Sequence, residues 1–144
     1  MTKNTPLVSV MIPSYNHGKF IQETIKSVIE QDYDNLELII IDDGSNDNSI
    51  DVIQGMISEC EKRFVRFEFR HRSNKGLSAT LNEAIAWSKG LYLSCLASDD
   101  KIKFYKISSQ VPLLENNKCY AGVFGGIEIL YKDGSVIKSS GESQ

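Results

Sequence analysis

Residues 36–45 read LELIIIDDGS, an apolar run that gives way abruptly to two aspartates, a glycine and a serine. The apolar part, Leu36–Ile41, predicts a buried β-strand, because a strand that is covered on both faces reads as a continuous hydrophobic run. Asp-Gly-Ser is typical turn chemistry. The stretch therefore predicts a strand that leads straight into a polar turn, which is the arrangement found at the ligand-binding edge of an α/β sheet.

Two further apolar runs with polar ends flank this stretch. Val8–Ile12 is rich in β-branched residues and is closed by Pro13. Tyr92–Leu96 is followed by the polar segment 97–100, which reads ASDD. Between them, Val65–Phe69 alternates apolar and charged residues, as expected of a half-exposed edge strand. The first hundred residues therefore contain four predicted strands.

Helical periodicity occupies the intervals between these strands. Three segments space their apolar residues at intervals of three and four, which puts those side chains on one face of a helix. The segments lie at 20–31, 50–60 and 77–85. Ser45 or Asp47 can cap the second helix, and Gly90 is a natural stop for the third. The apolar face predicted for the third comprises Leu77, Leu81, Ala84 and Ile85.

The pattern weakens after residue 100. Phe104–Leu114 predicts a helix that Pro112 should kink or restrict to separate turns. Val123–Tyr131 predicts a strand. The Asp133-Gly134 pair is a hairpin signal, and it leads to a short apolar segment at Val136-Ile137.

The alternation of strand and helix predicts an α/β fold, a mostly parallel sheet with helices on both faces. The length of 144 residues fits one domain, so we expect a single domain over residues 1–144. Right-handed crossovers place the carboxyl ends of parallel strands at one edge. Three polar segments, Pro13–Asn16, Asp42–Ser45 and Ser98–Asp100, are therefore expected to converge there.

Composition narrows the class of partner. Sixteen Lys and Arg against nineteen Asp and Glu leave a formal charge of −3. Such a chain lacks the positive footprint of a nucleic-acid-binding protein, so no nucleic-acid partner is expected. It has no apolar run near the ~18 residues of a membrane span and no signal-peptide core. With three cysteines and no CxxC spacing, reduced thiols and a cytoplasmic location are expected, with any membrane association supplied by regions outside this chain.

Two pairs of adjacent aspartates follow predicted strands. Adjacent carboxylates such as Asp99-Asp100 repel each other, and Mg²⁺ or Mn²⁺ relieves that repulsion. The alternative is a helix cap with an acidic first turn. Asp42-Asp43 could accept a hydrogen bond from a nucleobase or ribose, or could serve a turn and a cap. Both interpretations can hold at once, one aspartate each.

Other polar positions are less specific. Tyr15 could stack on a nucleobase, a contact worth about 1–3 kcal/mol, or simply cover the sheet edge. In the segment Asn74–Gly76, Gly76 permits close backbone approach ahead of a helix whose N-terminus favours an anion, and the alternative is a plain loop with a basic surface residue, which is the better interpretation of Lys75 alone. His17 and His71 have no partner spacing and are interpreted as surface or loop residues. No GxGxxG motif and no P-loop follows the first strand.

Four segments in order resemble the family 2 glycosyltransferases of the GT-A fold. They are Val8–Asn16, Leu36–Ser45, the pattern Asn74-x-Gly76-x-x-x-Thr80-x-Asn82, and Ala97–Asp100. The resemblance covers residues 7 to about 100 and implies a Rossmann-like fold. It also implies inverting transfer of a sugar from a nucleotide-diphospho-sugar, usually UDP-linked, to the hydroxyl of a glycan or lipid-linked acceptor in polysaccharide or glycoconjugate synthesis.

The resemblance also assigns nucleoside contacts, residue by residue. It implies that Pro13 and Tyr15 border the base and ribose. Asp43 would accept a hydrogen bond from the uracil ring N–H. Asn74 and Gly76 would line the nucleotide cleft.

On the diphosphate side, the resemblance implies that Asp99 faces the ribose or sugar. Asp100 would hold a Mn²⁺ or Mg²⁺ ion that bridges the two phosphates. Thr80 departs from the pattern, because members of the family often carry arginine there, and either Lys75 or Arg72 could supply that charge.

No residue of 1–144 is identified as the general base that the transfer needs. We therefore expect a donor-binding portion of a longer enzyme, incomplete at its C-terminal end. Two alternatives stay open: a non-catalytic sugar-nucleotide-binding module and a sugar-phosphate nucleotidyltransferase, although segment 15–19 contains only one of the glycines common in the latter. An exposed edge at Val65–Phe69 could also pair two copies into a homodimer.

Overall fold

The structure, a computed structural model, describes residues 5–130, 133 and 135–138. The chain divides into two compact units, one ending at Ile107 and the other beginning at Ser108. The first unit contains the strands and helices that surround the predicted site. The second contains most of one helix and a short hairpin.

Strands and helices alternate throughout the first unit. Its elements are β1 (Val8–Ser14), α1 (Ile21–Ile29), β2 (Leu36–Asp42), α2 (Ser49–Gln54), α3 (Ile57–Arg63), β3 (Arg66–His71), α4 (Leu77–Trp87) and β4 (Tyr92–Cys95). The four strands form one sheet in the order β3-β2-β1-β4. Every pairing in it is parallel. The predicted α/β class with a parallel sheet is therefore confirmed.

The register of the sheet places the strand ends level with each other. Ser14 at the end of β1 lies beside Asp42 at the end of β2, and Asp42 lies beside His71 of β3. Strand β4 pairs with β1 on the opposite side from β2. The strand order therefore reverses at β1, and the crevice beyond such a reversal is where ligands of open α/β sheets bind.

Helices cover both faces of the two central strands. One face packs an apolar cluster from β1, β2 and α4, comprising Met11, Ile39, Ile41, Ala84 and the partly buried Trp87. Val10 and Ile40 alternate with these residues and so point to the other face, yet they are fully buried as well. Burial on both faces explains the continuous apolar runs in the sequence, and each buried isoleucine contributes about 1.5–3 kcal/mol.

Strand β1 continues through Pro13 to Ser14, beyond the predicted end at Ile12. Proline lacks the N–H that a strand with two neighbours needs. The β4 pairing ends at Met11, so Pro13 has a strand partner only on the β2 side. The missing donor therefore falls where the sheet has already opened into the cleft.

The single helix predicted over 50–60 consists of two short helices, α2 and α3. The break falls at Gly55 and Met56, where the Met56 N–H bonds the Ile53 carbonyl three residues back rather than four. Glycine is a weak helix former, which favours a break there. Ile53 and Cys60 are both fully buried, so the two helices still share one apolar face.

The face predicted for α4 is partly wrong. Leu77 and Ile85 are 61% and 47% exposed, whereas Thr80 and Ala84 are buried. The buried Thr80 hydroxyl has partners there, since it donates to the Gly76 carbonyl at 2.9 Å and accepts from Arg72 Nη2 at 3.0 Å. The buried face of α4 is thus rotated from the predicted one, and Leu77 is exposed at the amino end of the helix.

The second unit contains the hairpin and most of the helix that the sequence predicts after residue 100, with different bounds. Helix α5 (Lys106–Asn116) begins at the end of the first unit and continues through Pro112, so the segment is one helix and not separate turns. β5 (Glu128–Leu130) pairs antiparallel with β6 (Val136–Lys138), which confirms the hairpin. The strand is shorter than the predicted Val123–Tyr131, and Tyr131 and Gly134 lie outside the described residues.

Candidate functional site

A cleft of about 400 Å³ opens at the carboxyl ends of the strands. Its walls come from the end of β1, from the segments that follow β1, β2, β3 and β4, and from the start of α4. The lining residues are Pro13, Ser14, Tyr15, His17, Asp43, Asn74, Gly76, Leu77, Thr80, Ala97 and Ser98. Five of the seven predicted site residues, namely Pro13, Tyr15, Asp43, Asn74 and Gly76, therefore meet in one cavity.

The two aspartates after β2 have different environments. Asp42 is fully buried. Its Oδ1 accepts a hydrogen bond from the Ser45 N–H at 2.8 Å, and its Oδ2 accepts from the hydroxyls of Ser45 at 2.6 Å and Ser14 at 3.0 Å. These partners belong to the turn and to the neighbouring strand. Asp42 therefore shapes the turn, while Asp43 faces the cleft.

Asp43 is held by donors from the loop that precedes α4. Its Oδ1 accepts from Arg72 Nη1 at 2.5 Å and from the Lys75 N–H at 2.8 Å. Its Oδ2 accepts from the Gly76 N–H at 3.0 Å. A carboxylate offers about four acceptor positions, so one on Oδ2 stays free for a ligand.

The ionisation of Asp43 follows from these contacts. Burial by itself would raise the pKa of the carboxyl, but the hydrogen bonds from Lys75, Arg72 and Gly76 outweigh it and hold the pKa below its ordinary value. Asp43 is only 6% exposed, so water contributes little to stabilising its charge. The positive charge that compensates it comes mainly from Arg72. The floor of the cleft therefore presents a rigid, ionised acceptor at neutral pH.

Arg72 also contacts Thr80, the position where the resemblance stated above implies an arginine. Its Nη2 donates to the Thr80 hydroxyl at 3.0 Å, and its Nε lies 3.3 Å from Glu83 Oε1. Lys75 contributes its backbone N–H to Asp43 instead. Of the two cations considered from the sequence, Arg72 is the one that places its charge beside Thr80.

Backbone geometry brings the loop at 72–76 close to the turn after β2. Gly44 has φ +83°, and a Cβ there would lie 2.7 Å from the Asn74 nitrogen. Asn74 donates its side-chain N–H to the Asp43 carbonyl at 2.9 Å. Gly76 has φ +92°, a conformation that strains other residues. Gly44 thus allows the turn after β2 to approach the loop, and Gly76 supplies the positive φ at which that loop enters α4.

The loops after β1 and β2 are tied together. The Asn16 N–H donates to Ser45 Oγ at 2.9 Å, and Asn16 Oδ1 accepts from the Asn46 N–H at 2.8 Å. The Gly18 N–H donates to Asp47 Oδ2 at 2.9 Å. These bonds fix the loop that carries Tyr15, whose ring is 46% exposed and free to meet a ligand.

Asp99 and Asp100 stand at the edge of the cleft, directly after the lining residues Ala97 and Ser98. The Asp100 N–H donates to the Ala97 carbonyl at 3.1 Å, which closes a tight turn. The Asp99 side chain is 45% exposed, and its Oδ2 lies 3.8 Å from His17 Nε2. The structure therefore brings both aspartates next to the cleft without making them part of its lining.

The donor set at this edge fits a shared cation. Among residues 5–130, 133 and 135–138, no group of three His, Cys, Asp or Glu side chains gathers to hold a metal. Asp99 and Asp100 nevertheless supply carboxylate oxygens, the ligands that Mg²⁺ and Mn²⁺ take. The arrangement suits an ion that completes its coordination with ligand phosphates and water, and does not suit a closed protein cage.

Sequence reasoning missed His17 as a cleft residue. His17 lies in the loop after β1, as interpreted, but it is only partly exposed, because its ring lines the cavity and its Nδ1 lies 2.7 Å from Ser98 Oγ. The available signal was position: His17 follows Tyr15 by two residues in the loop after β1. His71 is exposed at the end of β3, as interpreted.

A parallel α/β sheet with a cleft at its switch point belongs to the class of domain that binds ligands, nucleotides among them, beyond the carboxyl ends of its strands. The sequence model described as "Glycosyl transferase family 2" matches residues 9–138. The chain belongs to this family.

Individual relatives agree with the family and the fold. TuaG of Bacillus subtilis (strain 168), provisionally named a teichuronic acid biosynthesis glycosyltransferase, is 35% identical over 135 residues, which cover 94% of this chain and 52% of TuaG. The mannosyltransferase PcManGT from Pyrobaculum calidifontis, solved with GDP-Man and Mn²⁺, has a TM-score of 0.69 at 23% identity, covering 76% of this chain and 32% of that one. S. aureus TarS 1-349 with UDP-GlcNAc has a TM-score of 0.69 at 19% identity, covering 86% and 40%.

The structural likeness confirms the GT-A-type fold. The chain spans about half of TuaG and less than half of either solved neighbour. Within the part of the chain that the structure describes, no helix combines the length and the apolar character that crossing a bilayer requires.

Proposed function

We propose that this chain forms the donor site of an inverting glycosyltransferase. The enzyme would transfer a sugar from a nucleotide-diphospho-sugar, with UDP as the nucleotide, to the hydroxyl of a glycan or lipid-linked acceptor in polysaccharide or glycoconjugate synthesis. The observation that carries this proposal is the cleft at the switch point, where Tyr15, Asp43 and Gly76 converge beside Asp99 and Asp100.

The nucleoside would occupy the inner part of the cleft. The free acceptor position on Asp43 Oδ2 suits the ring N–H of uracil, because that carboxylate is ionised and its orientation is fixed by Arg72. Pro13 and the exposed ring of Tyr15 would border the base and ribose. Asn74 and Gly76 would form the opposite wall.

The diphosphate would lie toward Asp99 and Asp100. In this arrangement Asp100 binds a Mn²⁺ or Mg²⁺ ion, and Asp99 faces the ribose or the sugar. The departing nucleoside diphosphate builds up negative charge, and a divalent ion bound there supplies Lewis-acid stabilisation of that charge. In this proposal Asp100 serves the ion and does not contact the phosphates directly.

Inverting transfer also needs a base that takes the proton of the acceptor hydroxyl on the face opposite the departing phosphate. We assign to this chain the donor site and no such base. The names of the similar proteins fit the proposed substrates: TarS was solved with UDP-GlcNAc, PcManGT with GDP-Man and Mn²⁺, and TuaG is named for teichuronic acid biosynthesis.

Expectations about partners and location stay predictions. These are the absence of a nucleic-acid partner, a cytoplasmic location with membrane association only through regions outside this chain, and a homodimer formed through the exposed edge. Strand β3 does lie at the edge of the sheet, and its residues are partly exposed.

The direct test is calorimetric titration of the chain with UDP in the presence and absence of Mn²⁺. We expect binding that Mn²⁺ strengthens, and we expect Asp100→Asn to remove most of the strengthening without unfolding the protein. Asp51→Asn, a substitution at an exposed residue of α2 that does not line the cleft, is the matched control. A folded protein that binds none of UDP, GDP or their sugar conjugates would contradict the proposal.

Turnover assays separate the alternatives. Sugar release from the donor, to an acceptor or to water, supports a transferase. If this chain and longer versions of it all bind the donor but none turns it over, the protein is a non-catalytic binding module. Pyrophosphate release from nucleoside triphosphate and sugar phosphate would instead indicate a nucleotidyltransferase.

A further inference from the structure

The His17 imidazole joins two loops that meet at the cleft. Its Nδ1 lies 2.7 Å from Ser98 Oγ, and its Nε2 lies 3.8 Å from Asp99 Oδ2. The ring also contacts Phe20 edge to face, with centroids 6.1 Å apart. His17 belongs to the loop after β1, whereas Ser98 and Asp99 follow β4, so the imidazole bridges the crevice at the point where the strand order reverses.

Ser98 gives this bridge a firm anchor. The residue is only 3% exposed, and its carbonyl accepts a hydrogen bond from the Thr24 hydroxyl of α1 at 3.0 Å. The position of Ser98 is therefore set by the core of the first unit. Because Ser98 Oγ is fixed, the His17 ring that contacts it is fixed as well, whereas Asp99 is 45% exposed and depends on its neighbours for orientation.

The chemistry of the ring decides which nitrogen carries the proton. If Nδ1 carried the only proton, the lone pair of Nε2 would face the Asp99 carboxylate, which is unfavourable. If the Ser98 hydroxyl donates to Nδ1, Nε2 carries an N–H and directs it at Asp99 Oδ2. The separation of 3.8 Å suits a bond closed by a small movement or by one bridging water.

We propose that His17 is a positioning residue of the donor site, anchored by Ser98 and directing its Nε2–H to the Asp99 carboxylate. This inference rests on the proposed function, in which Asp99 faces the ribose or sugar of the donor. Without the imidazole, the half-exposed Asp99 side chain is free to turn into solvent. The contribution of Asp99 to donor binding is then lost even though the aspartate is present.

Two substitutions of His17 by amide residues distinguish the contribution of Nδ1 from that of Nε2. Asparagine can reach the position of Nδ1 and keep the contact with Ser98, but it has no group at the position of Nε2. Glutamine can place an amide N–H near the position of Nε2. We therefore expect His17→Asn to weaken binding of UDP-GlcNAc by about 3- to 10-fold, the range of one lost hydrogen bond, and His17→Gln to restore part of that loss.

The experiment is calorimetric titration of the full chain with UDP-GlcNAc and Mn²⁺, applied to wild type, His17→Asn, His17→Gln, Asp99→Asn and the double variant His17→Asn/Asp99→Asn. His71→Asn is the matched control, because it alters the other histidine at the exposed end of β3. Thermal unfolding of each variant verifies that it is folded, and Ser98→Ala replaces any histidine variant that is not.

The double variant gives the decisive result. If His17 acts through Asp99, the double variant binds no more weakly than Asp99→Asn, so the two losses do not add. Additive losses, or a His17→Asn protein that binds like wild type, overturn the inference and leave the proposed function standing. A wild-type protein that binds no nucleotide sugar overturns the proposed function and this inference together.

Discussion

Replacing Asp43 by asparagine removes the charge on which the cleft floor is built. The carboxylate accepts from Arg72 Nη1 at 2.5 Å, the Lys75 N–H at 2.8 Å and the Gly76 N–H at 3.0 Å. Asparagine has one acceptor oxygen, so its amide group must oppose either Gly76 or the pair formed by Arg72 and Lys75. In both orientations at least one donor loses its acceptor.

The magnitude follows from these contacts. A hydrogen bond between charged groups contributes about 1.5–3 kcal/mol, and a buried donor left without an acceptor costs about 1–3 kcal/mol. Arg72 keeps Glu83 and Thr80 as partners, which limits the loss. We therefore expect Asp43→Asn to lower the free energy of unfolding by about 2–4 kcal/mol. For a domain of this size, that corresponds to a fall in Tm of about 7–13 °C.

The loss also depends on pH. The pKa of Asp43 is lower in the folded protein than in the unfolded chain. Its contribution is fully present above the unfolded pKa of about 4 and disappears as the pH falls through the lower folded pKa. The difference in stability between wild type and Asp43→Asn should therefore be largest near pH 7 and shrink below about pH 4.

Urea unfolding at pH 7 and at pH 3 measures both effects, with Asp51→Asn as the exposed control. We expect a lower midpoint at pH 7 with an unchanged m-value, since the fold itself is retained. An Asp43→Asn protein within about 0.5 kcal/mol of wild type at pH 7, the range of ordinary surface substitutions, would refute this reasoning.

Three further predictions concern other parts of the fold. Glu37→Gln should lower the free energy of unfolding by about 3 kcal/mol, because Glu37 is 1% exposed and pairs with Arg66 at 3.0 Å. Titration of the folded variant should show an unchanged nucleotide affinity, since Glu37 lies at the opposite end of β2 from the cleft. Gly76→Ala should lower the free energy of unfolding, measured in urea, by about 1–3 kcal/mol. The cost comes from backbone strain alone, because φ is +92° while a Cβ would meet open space, and an unchanged free energy would show that the loop relaxes. Burial raises the pKa of Cys60 to about 12, so iodoacetamide should modify the exposed Cys119 readily and Cys60 only on unfolding. Mass spectrometry measures the two alkylation rates, and equal rates in the native protein would contradict this expectation.

Much of the fold could be read directly from local sequence. The apolar runs at Val8–Ile12 and Leu36–Ile41 predict buried strands correctly, because a strand covered on both faces needs an apolar side chain at nearly every position. Helical spacing likewise predicts α1 and α4. The polar segments after β1, β2 and β4 could be placed at one edge because parallel strands point the same way. Each of these properties depends on neighbours along the chain or on the direction of a strand.

The division of roles within the cleft did not follow from the sequence. Asp42 and Asp43 are adjacent and chemically identical. Their roles differ because Asp42 accepts a hydrogen bond from Ser14 of the neighbouring strand β1, while Asp43 accepts one from Arg72, 29 positions away. His17 looks like any loop histidine until Ser98, 81 positions further on, is brought beside its ring. Hydrogen-bond partners at such separations are set by how the loops pack, and periodicity along the chain carries no record of that packing.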